Sequence, residues 1–434
     1  MQLYSTNNKN YIVDLKEATL KSLAPDKGLY MPTSIAKLEP SFFENIESLS
    51  FQEVAFEVSS ALIGNYIPKD QLKSIISNAI NFPAPVNMHN DHIGTLELFH
   101  GPSLAFKDFG ARFMAEMMSY FIQGDEKEIT ILVATSGDTG GAVAAGFYDT
   151  PGINVVILYP KGKVSELQEK QLTTLGKNIS AIEVNGTFDD CQTLVKQAFL
   201  DKDLEGKLNL SSANSINITR LIPQSFYYFD LYKQVKKYNK EIVVAVPSGN
   251  FGNLTAGLIA KAMGLPISHF IAATNINKVV PDYLATSIYS PRPAIATISN
   301  AMDVGNPSNF PRMMALYNND LQTLLKDVSG FYLSDEQDKN VMKQIYSDHN
   351  YIADPHGAIG YAAIKAYQKN HPDTIGVYFE TAHPSKFIDV VDPVLKISTP
   401  IPDRLQDLAT KEKVATNLDN SFDAFKNYLL AKSF

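Results

Sequence analysis

Ile129-Thr130-Ile131-Leu132-Val133-Ala134-Thr135-Ser136-Gly137-Asp138-Thr139-Gly140-Gly141-Ala142 runs from apolar and β-branched residues straight into glycines and small hydroxyl residues. Such a run suits a strand buried on both faces, as in a parallel sheet. The glycines permit a tight turn, and the small-residue segment from Ala142 to Phe147 continues as a helix. The same unit recurs downstream. Asn154 to Tyr159 reads as a strand, and Ser165 to Leu175 as a helix with Ser165 as N-cap and Gly176 as its stop. Ile179 to Val184 and Phe188 to Leu200 repeat the pair.

After the Asn/Ser-rich stretch 209–217 comes a long amphipathic run to about Lys237. The alternation then restarts with strand Ile242 to Val246, a Gly-rich loop, helix Leu254 to Met263 and strand Ile267 to Thr274. Helices at Glu336 to Tyr346 and Ala358 to Tyr367 precede a strand from Thr374 to Phe379. The pattern predicts an α/β protein with two doubly wound open-sheet domains, at 95–238 and 239–434, and a cleft between them. Residues 1–94 form a small N-terminal region, with helical periodicity from Ser41 to Gly64 and from Lys69 to Ile80, and it reads as a structural cap.

Composition narrows the function classes. The 434 residues, 45% apolar and 19% charged, suffice for two large cores. A net charge of −8 argues against nucleic-acid binding, since no basic excess exists to neutralise phosphates. The single cysteine, Cys191, excludes an internal disulfide and a multi-cysteine metal site, and its helix-like surroundings suit a packed or surface thiol. No histidine–carboxylate spacing suggests a metal site. The polar N-terminal stretch lacks a secretory pattern, and no apolar run approaches bilayer length. A cytoplasmic protein with no membrane partner is expected.

Chemistry concentrates in five places. In Leu98-Phe99-His100-Gly101-Pro102-Ser103-Leu104-Ala105-Phe106-Lys107-Asp108-Phe109-Gly110, a lysine sits among apolar, aromatic and small residues. A desolvated amine is a nucleophile at neutral pH, which fits a Schiff-base lysine; a head reaching water from an aromatic ledge fits as well. Thr135 to Gly140 and Pro247-Ser248-Gly249-Asn250-Phe251-Gly252-Asn253 each follow a strand and open a helix. Such loops turn backbone amides toward an anion, although each alone also reads as an ordinary turn. Ser211 to Arg220 gathers neutral donors and one guanidinium, suited either to an anion or to a polar helix cap. Thr381 ends a strand at the sheet edge where α/β sites form, a position that is most often structural.

Together with Ser299-Asn300-Ala301-Met302-Asp303-Val304, Asp354-Pro355-His356 and Thr381-Ala382-His383-Pro384, these segments resemble, in order, the tryptophan-synthase-β-like (fold type II) pyridoxal-phosphate enzymes, and within them the threonine synthases. The resemblance implies pyridoxal 5'-phosphate as cofactor, lying in the cleft with Lys107 as its Schiff-base lysine. It implies that Gly249, Asn250, Phe251, Gly252 and Asn253 hold the cofactor phosphate and that Thr381 meets the ring nitrogen. Thr135, Ser136, Gly137 and Thr139 would receive the substrate carboxylate. Asn214, Ser215 and Arg220 would take the substrate phosphate. Asp138, where many relatives carry Asn, would lie beside the cofactor ring and need a proton or a nearby cation. His100, His356 and His383 lie near matched segments and read as core or supporting groups.

The implied reaction converts O-phospho-L-homoserine and water to L-threonine and phosphate, by γ-elimination and then addition of water at Cβ. A lyase yielding 2-oxobutyrate and a non-catalytic anion-binding module of the same fold are the rival readings. A monomer or homodimer fits the resemblance.

Overall fold

Strands that are apolar along their whole length need cover on both sides, and the chain provides it twice. In the computed structural model, which describes residues 1–124 and 128–432, all of Ile129–Ala134 is buried. The N-terminal region opens with strands β1 (Gln2–Ser5), β2 (Asn8–Asp14) and β3 (Tyr30–Pro32), an antiparallel sheet ordered β2-β1-β3. The helix expected from Ser41 to Gly64 is instead broken into Pro40–Asn45, Ile46–Ser48 and Phe51–Ile63. Ser50 breaks it, because its side chain and that of Glu53 satisfy each other's backbone N–H groups and start a new helix.

The chain then supplies β4 (Val86–Met88) and β5 (Ile93–Glu97), followed by β6 (Ile129–Ala134), β7 (Ile153–Pro160), β8 (Ile179–Asn185) and β9 (Asn209–Ser212). A second series comprises β10 (Ile242–Pro247), β11 (His269–Thr274), β12 (Val328–Tyr332) and β13 (Ile375–Glu380), and β14 (Thr416–Asp419) comes last. One sheet has the order β14-β8-β7-β6-β9, with every neighbouring pair parallel. The other has the order β12-β11-β10-β13-β5-β4, parallel except for β4 against β5.

Sheet membership departs from the boundaries at 95 and 239 in two ways. β4, within 1–94, and β5, which begins before residue 95, belong with the second sheet, where β5 pairs with both β4 and β13. Residues from β14 onward belong with the first sheet, not the second. β14 extends that sheet at β8, and Phe425 and Leu429 of helix Phe422–Ala431 fill an apolar layer with Cys191, Leu194 and Val184. β14 is Thr-Asn-Leu-Asp, an edge strand with no buried face, so its polarity hid it. Burial in that layer pushes the Cys191 thiol up to about 12, as befits a packed thiol.

The run to Lys237 also differs from expectation. Helix Ile218–Val235 is buried along nearly its whole length, so it is a central rod rather than an amphipathic surface helix. Phe226, Tyr227 and Tyr228 on it meet Phe113, Phe109 and Phe270. Phe43 of the N-terminal region packs against Phe229 of the same helix.

If the C-terminal helix belongs to the first sheet's core, Phe425→Ala should cost about 3–5 kcal/mol of stability, a typical price for emptying a buried aromatic site. Denaturant unfolding of the variant measures it; a loss under about 0.5 kcal/mol, the range of surface changes, would contradict the assignment.

Candidate active site

The lysine stretch forms a turn before its helix begins. Leu104 donates its N–H to Gly101 O at 3.1 Å and takes a positive φ of 58°, an unfavourable conformation for a branched residue. Ala105 then pairs with Ala382, and Phe106 donates its N–H to Thr381 O at 2.8 Å. The end of β13 is thereby fastened to the residue before Lys107. Thr381 and Lys107 thus lie in one locality, and the Thr381 hydroxyl makes no hydrogen bond to a described residue.

Lys107 opens helix Lys107–Phe121 and is largely buried, with Nζ 4.8 Å from the centre of the Phe106 ring. Burial above all, then the Arg220 guanidinium and Lys386, lower its amine from the usual 10.5 to about 8, while Asp138 pulls the other way. Arg220 is itself buried. Its Nη1 donates to Ala213 O, its Nη2 donates to Lys107 O at 3.4 Å, and Nε has no partner. Desolvation brings its guanidinium down to about 10. Among the described residues neither Lys107 nor Arg220 has an ion-pair partner.

The two glycine loops are braced by different side chains and leave different amides free. Thr135 Oγ1 accepts from Gly137 N at 3.0 Å and Gly140 N at 2.9 Å, so its hydroxyl braces the loop. Gly137 has a φ of 139°, which only glycine adopts without strain. Ser136 and Thr139 are half-buried, with hydroxyls bonded to no described residue. In the second loop Asn253 is the brace, taking a hydrogen bond from Ser248 Oγ at 3.0 Å and donating to Pro247 O at 2.8 Å. Phe251 sits in the left-handed region at a φ of 61°, a costly state for an aromatic residue and one that marks functional turns. The N–H groups of Gly249, Asn250 and Phe251 have no acceptor among the described residues. Three unmet amides before the N-terminus of helix Gly252–Ala262 are a fit for a phosphate.

The third anticipated segment closes the circle. Asn214 donates to Ala134 O, at the end of β6, at 3.1 Å. A Cβ on Gly252 would lie 3.4 Å from Ser215 Cβ, so the second loop and this segment lie side by side there. Ser308 and Asn309 join them: Ser308 Oγ donates to Asn250 Oδ1 at 3.0 Å, and Asn309 Nδ2 donates to Ser215 Oγ at 3.3 Å. Arg312 donates to Ser215 O and to Tyr30 O, tying this seam to the N-terminal region.

Sequence reasoning missed Ser308, Asn309, Arg312, Gln168 and Lys386. The first three sit in Pro307-Ser308-Asn309-Phe310-Pro311-Arg312, which reads only as a helix start. Lys386 carries the same signal that marked Lys107, a lysine beside Phe387 and Ile388. It is buried and pairs with Asp138 at 2.7 Å, which supplies the cation that the carboxylate was expected to need. The three histidines have protein partners: His100 with Glu97 at 2.8 Å, His356 with Ala301 N at 3.3 Å, and His383 with Ser385 Oγ at 2.8 Å.

The chain matches the family "Pyridoxal-phosphate dependent enzyme" over residues 95–379, the threonine synthase N terminus over 2–80 and the threonine synthase C-terminal region over 357–429. A threonine synthase from Haemophilus influenzae is 45% identical over 431 residues, spanning 99% of this chain and 100% of its own length. The crystal structure of threonine synthase from Escherichia coli superposes with a TM-score of 0.93 at 42% identity, covering 99% of this chain and 100% of that one. A PLP-bound threonine synthase from Brucella melitensis gives a TM-score of 0.92 at 32% identity, covering 99% and 98%.

Labelling of amines in cofactor-free protein, followed residue by residue by mass spectrometry across pH, should show Lys107 titrating near 8 rather than 10.5. An ordinary lysine midpoint would mean that the amine is not desolvated.

Proposed function

The chain belongs to the threonine synthase family of pyridoxal-phosphate enzymes, and we propose that Lys107 is the lysine that holds the cofactor in its cleft. The reaction is conversion of O-phospho-L-homoserine and water to L-threonine and inorganic phosphate, the last step of threonine biosynthesis. The observation that carries the site assignment is the pair Lys107 and Arg220, two desolvated cations joined through the Lys107 carbonyl, neither of which forms an ion pair with a described residue. A phosphorylated substrate supplies the missing negative charge.

Bound pyridoxal phosphate supplies an electron sink that acidifies the C–H bonds of the attached amino acid. The rest of the work falls to the chain. The free amides of Gly249, Asn250 and Phe251, with Gly252 at the helix start, hold the cofactor phosphate, while Asn253 keeps the loop in shape. Thr381 offers a neutral hydroxyl to the ring nitrogen. Ser136, Gly137 and Thr139 receive the substrate carboxylate, on a loop held by Thr135. Asn214, Ser215 and Arg220 take the substrate phosphate, and Arg220 stabilises the charge that grows on it as it leaves.

Lys107 moves the protons. An amine lowered to about 8 is partly unprotonated at neutral pH, so it can accept a proton at Cα and return one at Cβ. The Phe106 ring, 4.8 Å from Nζ, gives the amine an apolar neighbour. Water then adds at Cβ. This reading places the protein in the cytoplasm, as a monomer or homodimer acting on a small molecule, with neither nucleic acid nor membrane as partner. The net charge of −8 supports the exclusion of nucleic acid.

Lys107→Ala should lose the absorbance band of lysine-bound cofactor and about 10²–10⁴-fold in turnover, the range for a lost general base. A variant that keeps both refutes the assignment. Arg220→Ala should keep the absorbance yet lose about 10²–10³-fold in kcat/KM for phosphohomoserine; unchanged kinetics would remove Arg220 from the site. The carbon product should be the amino acid, and accumulation of 2-oxobutyrate would turn the reading toward elimination alone.

A further inference from the structure

Lys386 has no part in the chemistry described so far, yet its placement is exacting. It lies in the short turn Pro384–Phe387 beyond β13, with a side chain wholly out of water. Lysines are almost never buried unpaired. Its Nζ is 2.7 Å from Asp138 Oδ1 and donates to Ser103 O at 2.8 Å. Asp138 belongs to the loop after β6, and Ser103 to the turn that leads into Lys107. One ammonium therefore joins the first sheet, the second sheet and the lysine turn.

Asp138 is equally constrained. Its Oδ1 accepts from Gln168 Nε2 at 2.9 Å as well as facing Lys386, while Oδ2 has no partner among the described residues. Burial acts to push this carboxyl up, but Lys386, Gln168 and His356 outweigh it and hold the group below the ordinary carboxylate range. The charged groups facing Lys107 are Arg220, Asp138 and Lys386; those facing Asp138 include Lys386, Lys107 and His356; Asp108 also faces Lys386.

We propose that Lys386 is a positioning residue that makes Asp138 and itself one electrically neutral unit, keeping the carboxylate ionised beside the Lys107 amine and pinning the turn before it. The inference rests on the reading of Lys107 as the cofactor lysine, but it concerns charges present without cofactor. With this pair neutral, the positive excess of the cleft resides on Lys107 and Arg220, where a phosphorylated substrate meets it. Losing either member alone exposes the other as a buried, uncompensated charge, and the two losses have opposite signs at Lys107.

The test is the labelling midpoint of Lys107 in cofactor-free protein, with steady-state kinetics alongside. Lys386→Met removes a cation and unmasks Asp138, which stays ionised across the alkaline range, so the Lys107 midpoint should rise by on the order of one pH unit. Asp138→Asn removes the anion and unmasks Lys386, so the midpoint should fall by a similar amount. The double variant Asp138→Asn/Lys386→Met should return close to the wild-type midpoint and recover most of the kcat/KM that each single change loses.

Shifts of the same sign, no shifts, or a double variant no better than the worse single would overturn the proposal, since a merely structural bridge has no reason to produce opposite signs that cancel. If Lys386→Met does not fold, the double variant is compared with Asp138→Asn. A higher midpoint in the double supports the unit, and equal midpoints overturn it. These midpoints are read whether or not the protein binds cofactor, so a failure of the proposed function remains distinguishable.

Discussion

Arg220 wholly and Lys107 largely are withdrawn from water with no ion-pair partner among the described residues, and the architecture around the cleft answers to that constraint. Each buried ion carries a desolvation penalty of several kcal/mol even after the surroundings relax. Carbonyls offset part of it: Arg220 donates to Ala213 O and Lys107 O. The remainder is sustained by the cores of the two sheets and by the rod of helix Ile218–Val235, on which Arg220 is mounted. A site strained in this way discriminates by charge. An anionic group brought to these two cations would relieve the excess, whereas an uncharged one would leave it standing.

The cleft is assembled by contacts between segments far apart in the chain. The Ala105–Ala382 bridge fixes the lysine turn to the end of β13. Asn214 fixes its own segment to the end of β6, and Ser308 and Asn309 stitch that segment to the loop of Gly249 to Asn253. Most of these bonds use backbone or short polar side chains, which hold position with little rotamer freedom to lose. Arg312 extends the seam to Tyr30, so the N-terminal region buttresses the site as well as covering core.

How far the sequence could be read follows from the same contacts. Uninterrupted strands such as Ile129 to Ala134 and Ile242 to Val246 announce themselves, because burial on both faces demands apolar residues throughout. Lys107 and the glycine loops were visible as residues out of place in their local setting. β14 was invisible, since an edge strand needs only backbone pairing and Thr-Asn-Leu-Asp carries no pattern. The N-terminal sheet was missed because its strands are short and partly wet. Lys386 escaped for a different reason: its meaning lies in Asp138, hundreds of residues away, and pairing at that range leaves no trace in spacing.

The return of residues beyond β13 to the first sheet bears on how the molecule is made. Translation delivers β6 to β9 early, yet β14 and the helix bearing Phe425 and Leu429 emerge from the ribosome only after the whole second sheet. Until then the nascent protein presents the bare edge of β8 and an apolar layer covered only in part by helix Phe188–Leu200, a template for intermolecular pairing. The final helix thus acts as a latch that retires this hazard, and chaperone dependence during synthesis should concentrate on the interval before it arrives.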